Sequence, residues 1–226
     1  MDVELLKKMA GEYAAMKIKD GMVVGLGTGT TVKYTILKIG QLVKEGLDII
    51  GIPTSKATEN LARSLGIKIG SLSEYEYIDI TVDGADEVDK KLNLIKGGGG
   101  ALLREKMIAY YSKYEVIVVD ERKLSEVLGS FPLPVEIVPF GYGRTLHTLS
   151  GFGCVPHLRL KDGRPFVTDN GNYIVDCKFD SIDNPSSLNI ELNSVPGVVE
   201  NGLFVGLSNE VIVGTKNGIK VIRSDV

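Results

Sequence analysis

The stretch VVGLGTGTT, residues 23–31, decides which fold the chain can adopt. An apolar strand pattern runs directly into a glycine- and threonine-rich turn, and a helical pattern of apolar residues begins at Val32. Such a junction points several backbone N–H groups and the positive end of a helix dipole at one place, which favours binding of an anion, above all a phosphate. The hydroxyls of Thr28, Thr30 and Thr31 would add hydrogen-bond donors there.

The glycine pattern of this turn differs from two common nucleotide-binding motifs. It has the form GxGxG rather than GxGxxG, no acidic residue follows the second strand at Gly51-Ile52-Pro53, and the GK[ST] ending of a P-loop is absent. A tight strand–helix turn with threonine as the N-cap explains the same residues without a ligand. Both interpretations stay open at this point.

Strand and helix patterns alternate on both sides of this stretch as far as Leu128. Apolar spacing predicts a first helix from about Leu5 to Met16 and a strand at Met22–Leu26. Further predicted strands are 49–53, 67–69, 77–82 and 115–120, and further predicted helices are about 32–43, 58–65 and 101–111. This alternation predicts an α/β fold, a doubly wound, mostly parallel sheet with helices on both faces.

The pattern changes after Leu128. The segment FPLPVEIVP, residues 131–139, carries three prolines, and residues 155–179 form alternating strand patterns around the turns KDGRP and DNGN. Strand patterns at 210–213 and 218–223 would suit a return to the first sheet. We therefore predict a catalytic domain of residues 1–128 plus 206–226, with a smaller α+β domain, residues 129–205, inserted into it.

The composition of the chain argues against several classes of function. With 26 Lys and Arg against 29 Asp and Glu, the formal net charge of −3 argues against a nucleic-acid partner. No apolar stretch is long enough to cross a membrane and no signal-peptide pattern begins the chain, so we expect a cytoplasmic protein with no membrane partner. The two cysteines, Cys154 and Cys177, are expected to be idle thiols.

Two carboxylates follow a predicted strand in VDGADEVD, residues 82–89. Asp83 and Asp86 flank Gly84-Ala85, so both are expected at the carboxyl edge of the sheet, where open α/β sheets bind ligands. Close carboxylates can hold sugar hydroxyls, share a proton or bind a divalent metal. The only histidines, His147 and His157, lie in the inserted region and do not pair with this motif. A solvated acidic turn remains the alternative.

A second glycine-rich segment, LIKGGGGALLREK, spans residues 94–106. Its four glycines can present backbone amides to an oxyanion, with Lys96 directly before them. Glu105 is expected in about the second turn of the following helix, where burial would make it a candidate general base. An exposed helix face at Glu105 and Lys106, and a plain surface charge at Lys123 after the strand of VVDERKL, are the alternatives.

Taken together, these segments are similar to one family. GLGTGTT, VDGADEVD, LIKGGGGALLREK and DERKL, in this order and at these spacings, closely resemble ribose-5-phosphate isomerase, type A. The later segments DNGNYIVDCKF and ELNSVPGVVENGLF also look like that family, so the resemblance covers nearly the whole chain. It implies a Rossmann-like domain carrying an inserted α+β domain. It also implies interconversion of ribose 5-phosphate and ribulose 5-phosphate, in the pentose phosphate pathway, without a metal or organic cofactor.

The resemblance also assigns site residues by position. It places the catalytic base at Glu105, the ring-opening and hydroxyl-binding carboxylates at Asp83 and Asp86, and the active-site lysine at Lys96. The substrate-binding positions it implies are Lys7, Thr28, Gly29, Thr30, Thr31, Asp83, Gly84, Ala85, Asp86, Lys96, Gly97, Gly98, Gly99 and Lys123. The TGST loop of many members reads TGTT here, which keeps the hydroxyl, and the glycine turn reads GGGGAL where many members have GGGAAL or GRGAAL.

Two other classes of function fit a related scaffold. One is a CoA-transferase or a sugar-phosphate sensor, in which Glu105 would be inert or a nucleophile. The other is a nucleotide-binding regulatory module. Formation of ketose from ribose 5-phosphate in the presence of EDTA would separate the isomerase from both. We expect a homodimer or homotetramer, although the sequence does not distinguish them.

Overall fold

The computed structural model describes residues 2–223, and within them the chain is an α/β protein built from two compact units. The first unit comprises residues 2–85, 104–123 and 206–223, and the second comprises residues 86–103 and 124–205. The helices are α1 Val3–Ala15, α2 Val32–Lys44, α3 Lys56–Ser64, α4 Leu102–Tyr110, α5 Tyr142–Ser150 and α6 Pro185–Asn193.

The strands are β1 Val23–Leu26, β2 Ile50–Pro53, β3 Lys68–Ile69, β4 Ile80–Gly84, β5 Glu87–Val88, β6 Leu94–Ile95, β7 Glu115–Asp120, β8 Leu133–Ile137, β9 Val155–Leu158, β10 Leu160–Lys161, β11 Arg164–Pro165, β12 Tyr173–Lys178, β13 Val198–Asn201, β14 Leu203–Phe204, β15 Glu210–Thr215 and β16 Gly218–Arg223. Short 3-10 turns occupy Leu72–Glu74 and Glu121–Lys123.

The first unit is organised around a seven-stranded sheet in the order β16-β15-β7-β4-β1-β2-β3. All neighbouring pairs are parallel except β15 and β16, which form an antiparallel hairpin at one edge. Strand β7 is buried along its whole length, as expected of a parallel strand covered on both faces. The apolar faces of α1 and α2 pack on this sheet, with Ala10, Ile36 and Ile39 fully or almost fully buried.

The second unit contains three small sheets. The largest has the order β13-β8-β12-β9 and is antiparallel throughout. A second sheet, β14-β6-β5, brings Leu203–Phe204 back to the strands that flank the acidic and glycine-rich segments. A core that includes Leu133, Leu149, Val175 and Leu192 packs one face of the four-stranded sheet against α5 and α6.

The predicted fold class is confirmed, and the return of the C-terminal strands to the first sheet is also confirmed. Strand β7 has the predicted bounds, whereas β4 spans Ile80–Gly84 instead of the predicted residues 77–82. The division into domains stays a prediction about which segments fold together. The compact units differ from it at 86–103 and 124–128, because β5 and β6 pair with β14 and Leu128 belongs to the core of the second unit.

Candidate active site

The first glycine-rich turn is fastened to the neighbouring strand by Asp83. Gly27 donates its N–H to the carbonyl of Val82 at 3.0 Å. The Asp83 carboxylate is completely buried, and its Oδ1 accepts from the backbone N–H of Thr28 at 3.0 Å and of Gly84 at 2.7 Å. The side chain therefore ties the end of β4 to the turn that follows β1.

Only glycine fits at position 27. A Cβ atom there would lie 2.5 Å from the Cα of Asp83 and would also overlap its carboxylate. Because one of these atoms belongs to the backbone, the overlap could not be relieved by a side-chain rotation alone. The close approach of two strand ends thus explains this glycine.

The hydroxyl of Thr28 lies in a cluster of hydroxyls that the sequence analysis missed. Its Oγ1 lies 2.6 Å from Thr54 Oγ1 and 3.1 Å from Thr58 Oγ1, and it donates to Ser55 Oγ at 2.8 Å. Thr58 also donates to the carbonyl of Gly27 at 2.9 Å. A signal was present, since Pro53-Thr54-Ser55 ends a parallel strand at the same sheet edge as the glycine turn.

The rest of the turn leads into the N-terminus of α2, where Thr31 is buried but the two residues before it are open to solvent. Gly29 and Thr30 are exposed, and Gly29 has a φ of 137°, a conformation that favours glycine. Thr31 is the N-cap residue, but its side chain makes no capping hydrogen bond. The positive end of the dipole of α2 therefore lies beside the Thr31 hydroxyl, an arrangement suited to an anion.

Two predicted basic positions belong to the same unit. Lys7 in α1 forms an ion pair with Glu4 at 2.8 Å, and Glu4 also accepts from the hydroxyl of Tyr34 at 2.8 Å. These two hydrogen bonds, the one from Lys7 foremost, lower the pKa of the Glu4 carboxyl. Lys123 is half-buried in the 3-10 turn that follows β7.

The buried Asp120 ends β7 just before Lys123. Burial alone would raise the pKa of this carboxyl, yet hydrogen bonds from the backbone and guanidinium of Arg122 outweigh burial, so the pKa lies below its ordinary value. The shortest of these bonds, from Arg122 Nε, is 2.7 Å. Asp120 thus stabilises the start of the turn that carries Lys123.

Glu105 is buried, with 4% of its surface exposed. Helix α4 begins at Leu102, so Glu105 lies in its first turn and not in the second turn that we predicted. The alternative of an exposed helix face is wrong for this residue. A carboxylate in the first turn lies close to the positive end of the helix dipole, and its burial shields it from bulk water.

The second glycine-rich segment forms a tight turn in the second unit. Gly97 and Gly100 have φ values of 99° and 78°, and the N–H of Gly100 donates to the carbonyl of Gly97 at 2.9 Å. Asp86 Oδ2 accepts from the N–H of Gly98 at 2.7 Å. Gly98 and Gly99 are exposed, so their backbone is accessible from solvent.

Lys96 is among the largest completely buried side chains, with 1% of its surface exposed. Its backbone N–H donates to the carbonyl of Gly202 at 2.9 Å, and its Nζ lies 5.4 Å from the centre of the Phe204 ring. An ammonium group at this distance from an aromatic face is stabilised by a cation–π interaction. Lys96 is therefore not one of the surface charges that lysines usually form.

The structure divides the predicted site residues between the two units. The first unit holds Lys7, Thr28, Gly29, Thr30, Thr31, Asp83, Gly84, Ala85, Glu105 and Lys123, and the second holds Asp86, Lys96, Gly97, Gly98 and Gly99. Direct contacts join Thr28 and Gly84 to Asp83 in one unit, and Gly98 to Asp86 in the other. Arg159, which the sequence analysis did not select, contacts the carbonyls of Gly97 and Gly98.

Two further observations concern metals and membranes. Residues 2–223 contain no group of three or more His, Cys, Asp or Glu side chains arranged to hold a metal ion. Over the same residues, none of the helices has the length and apolar character needed to cross a bilayer.

Known proteins resemble this chain along almost its whole length. Ribose-5-phosphate isomerase A of Bacillus mycoides is 55% identical over 216 residues, which cover 95% of this chain and 98% of that protein. A solved D-ribose-5-phosphate isomerase in complex with phospho-erythronic acid is 46% identical, covers 99% of this chain and 100% of its own, and superposes with a TM-score of 0.96. The ribose 5-phosphate isomerase A of Methanocaldococcus jannaschii is 43% identical, with coverages of 98% and 100% and a TM-score of 0.94.

These relatives do not favour a CoA-transferase, a sensor or a nucleotide-binding module. A family model agrees with them, since the one for ribose 5-phosphate isomerase A (phosphoriboisomerase A) matches residues 50–218. The chain belongs to the ribose 5-phosphate isomerase A family.

Proposed function

We propose that this protein interconverts D-ribose 5-phosphate and D-ribulose 5-phosphate through an enediolate, as a step of the pentose phosphate pathway. The observation that carries the proposal is the buried carboxylate of Glu105 in the first turn of α4, in a chain that belongs to this family. A buried carboxylate at a fixed position is what proton transfer between two adjacent carbon atoms requires.

The first glycine-rich turn is proposed to bind the substrate phosphate. The open N-terminus of α2 offers backbone N–H groups and a helix dipole, and the Thr31 hydroxyl makes no capping bond that would compete. Lys7 and Lys123 of the same unit would add positive charge. Thr28 has a different role in this proposal, since its hydroxyl is bonded to the cluster of Thr54, Ser55 and Thr58 and shapes the turn.

Ring opening is proposed to use Asp83 and Asp86. The furanose opens when a proton leaves the anomeric hydroxyl and another reaches the ring oxygen, so a carboxylate that can accept and return a proton is needed. Each aspartate is held in one orientation, Asp83 by the amides of Thr28 and Gly84 and Asp86 by the amide of Gly98.

Glu105 is proposed to remove the proton from C2 and return it to C1. Loss of the C2 proton leaves an enediolate whose negative charge lies on oxygen. Transfer of the O2 hydroxyl proton to O1 and protonation at C1 then give the ketose. The Lys96 ammonium and the amides of Gly97 and Gly99 would stabilise that charge, since the Gly98 amide is donated to Asp86. A positioned base contributes about 10²–10⁴-fold to the rate, so the remainder must come from this stabilisation and from binding of the phosphate.

The chemistry of a known ligand agrees with this assignment. A similar protein was solved with phospho-erythronic acid, which joins a phosphate to a planar carboxylate. A carboxylate shares negative charge between two oxygens, as an enediolate does. The same ligand is therefore expected to bind here more tightly than a phosphorylated polyol of equal length, because it also engages the donors for the enediolate.

We further propose that the reaction needs no metal or organic cofactor. The enediolate already has an ammonium group and amides as donors, so a Lewis acid has no remaining task. The test is incubation with ribose 5-phosphate in EDTA, followed by assay of ketose and of the C1 deuterium taken up from D₂O. Undiminished turnover is expected. Activity that EDTA abolishes and Mg²⁺ or Zn²⁺ restores would contradict the proposal.

A homodimer or homotetramer in the cytoplasm is also proposed, acting on a small sugar phosphate without nucleic-acid or membrane partners. Exposed apolar side chains of the second unit support association, among them Phe140 with 94% and Ile190 with 65% of its surface exposed. Light scattering should give a mass two or four times that of the chain, and cell fractionation should recover the protein in the cytoplasm. A monomer would refute the first point, and recovery with membranes would refute the second.

A further inference from the structure

We propose that Arg159 is a positioning residue that fixes the peptides of Gly97–Gly99 so that the Gly99 N–H faces a substrate oxyanion. The inference rests on the proposed isomerase function and adds a residue to its machinery. It starts from one guanidinium group, which lies 61 or more positions along the chain from the glycines it contacts.

The Arg159 guanidinium uses two of its edges at once. Nη1 donates to the carbonyl oxygens of Gly97 and Gly98, both at 3.0 Å. Nε and Nη2 donate to the two carboxylate oxygens of Asp176, at 2.9 Å and 2.5 Å. Asp176 therefore holds the guanidinium plane in place, and the guanidinium in turn holds two successive peptide groups of the turn.

Fixing these carbonyls determines where the neighbouring amides point. The described residues contain no cis peptide, and in a trans peptide the N–H lies opposite the C=O. The Gly97–Gly98 peptide is held from both sides, its carbonyl by Arg159 and its N–H by Asp86. The carbonyl of the Gly98–Gly99 peptide accepts from Arg159, so the N–H of Gly99, an exposed residue, points away from Arg159 and can donate to a ligand.

A run of glycines needs such a restraint. Glycine reaches many backbone conformations, so an unrestrained peptide could rotate and turn its carbonyl oxygen towards the substrate. That rotation would replace a donor by an acceptor and repel the enediolate. Phe166 completes the restraint, because its ring lies 5.8 Å from the Arg159 guanidinium and occupies the space beside Gly100.

The test compares two ligands by calorimetry. 4-Phospho-erythronate carries a planar carboxylate for the turn, whereas inorganic phosphate does not. In Arg159→Met, affinity for 4-phospho-erythronate should fall at least about tenfold and affinity for phosphate less than twofold, because only the first ligand needs the oriented amide. Arg159→Lys keeps the charge but cannot hold both carbonyls and Asp176, so its loss should be intermediate.

Kinetics give a second readout. In Arg159→Met, kcat should fall at least about tenfold with KM changed less than threefold, since the amide acts on the transition state. In Arg159→Ala, millimolar guanidinium chloride should restore kcat several-fold, while sodium chloride should not. The matched control is Arg144→Met. Arg144 is exposed on α5, and this helix packs on the face of the β13-β8-β12-β9 sheet that is opposite to Arg159.

Each outcome decides between the two proposals. If the wild type does not isomerise ribose 5-phosphate, the proposed function fails, and the binding comparison still tests the turn. If Arg159→Met binds 4-phospho-erythronate as the wild type does, or if the wild type does not bind it, the positioning role is overturned. If Arg159→Met does not fold, Asp176→Asn replaces it. That variant should lower kcat with KM unchanged, and an unchanged kcat would overturn the inference.

Discussion

Two glycine-rich turns, Gly27–Thr31 in the first unit and Gly97–Gly100 in the second, are each held by an aspartate that accepts a backbone N–H, but they differ in their other contacts. A carboxylate holds the first turn through a backbone N–H, and hydroxyls surround its Thr28 side chain. In the second turn an arginine adds a hold on two backbone carbonyls to the contact that Asp86 makes. The difference shows how similar sequences can serve different tasks, depending on which backbone groups the protein itself has already engaged.

The two turns are expected to control different kinetic parameters of the reaction. A phosphate keeps its charge throughout the reaction, so donors that bind it act equally on substrate and transition state and mainly set KM. An enediolate gains its charge only during the reaction, so donors that face it mainly set kcat. Substitutions near the first turn should therefore change KM, and substitutions near the second turn and its following helix should change kcat.

The largest effect is expected for Glu105→Gln. The amide keeps the shape of the side chain but cannot accept the C2 proton, so kcat should fall at least about 10²-fold while KM stays near the wild-type value. The variant should also lose incorporation of solvent deuterium at C1, measured by NMR in D₂O. Turnover within a few-fold of the wild type would place the base elsewhere, with Asp83 or Asp86 as the next candidates.

Thr31→Val should give the complementary result at the first turn. Loss of one hydrogen bond to a charged phosphate costs roughly 1.5–3 kcal/mol, so KM should rise about tenfold or more with kcat almost unchanged. Stability should change little, since the Thr31 side chain makes no capping bond. The measurement is steady-state kinetics with inhibition by inorganic phosphate. A change in kcat without a change in KM would contradict the division between the turns.

Much of the fold could be predicted because the decisive patterns are local. The bounds of β7 were predicted correctly, since Glu115–Asp120 is an uninterrupted strand pattern. Strand β8 was not predicted, and its sequence lies in FPLPVEIVP, where three prolines interrupt the apolar pattern. Pro134 is tolerated because its backbone points towards Gly202, just past the end of β13, where the N–H that proline lacks is not needed for strand pairing. Its carbonyl accepts from the N–H of Gly202 at 2.7 Å.

The site could be predicted only where residues are adjacent in sequence to a recognisable motif. Glu105 lies five residues after the last glycine of the run, within the same motif, so its position in that motif made it a candidate. Arg159 is one of several basic residues in a hairpin, and nothing local to LRLKDGR distinguishes it from Arg164. Its contact with Gly97 depends on long-range pairing of strands, which a motif does not encode.

The next smaller effect is expected when one glycine of each turn is replaced by alanine, with a loss of stability at the first turn and a loss of kcat at the second. Gly27→Ala places a Cβ against the backbone of Asp83, so it should lower the free energy of unfolding by about 1–3 kcal/mol. In Gly98→Ala the three atoms nearest to the Cβ would all belong to the Asp86 carboxylate, the closest at 2.6 Å, and that half-exposed side chain can move. Gly98→Ala should therefore keep its stability but lose kcat.

Thermal unfolding and steady-state kinetics of the two alanine variants check this contrast. Gly143→Ala is the control, because a Cβ there meets no atom within 4 Å. The contrast between the turns would be refuted if Gly98→Ala lost as much stability as Gly27→Ala, or if its kcat matched that of the wild type.

The smallest expected effect is on the loss of stability in acid, and it arises in the strand beside the second turn. Glu87 in β5 is buried and accepts from the N–H groups of Gly129 and Phe131 at 3.1 Å and 3.0 Å and from the hydroxyl of Ser130 at 2.7 Å. Burial alone would raise the pKa of Glu87, but these bonds and one from Ser125 outweigh it and lower the pKa. Strand β5 pairs with β6, which leads into the glycine turn.

The lowered pKa fixes the sign of the pH effect. Because the folded state holds Glu87 ionised more strongly than the unfolded state does, its contribution to stability is present above the ordinary pKa of 4.5 and is lost as pH falls through the folded pKa. Urea unfolding between pH 7 and pH 3 should show a shallower acid slope for Glu87→Gln than for the wild type. The difference cannot exceed one proton, about 1.4 kcal/mol per pH unit. Glu126→Gln, at an exposed position, should keep the wild-type slope, and a wild-type slope in Glu87→Gln would show that acid does not act through the strand beside the second turn.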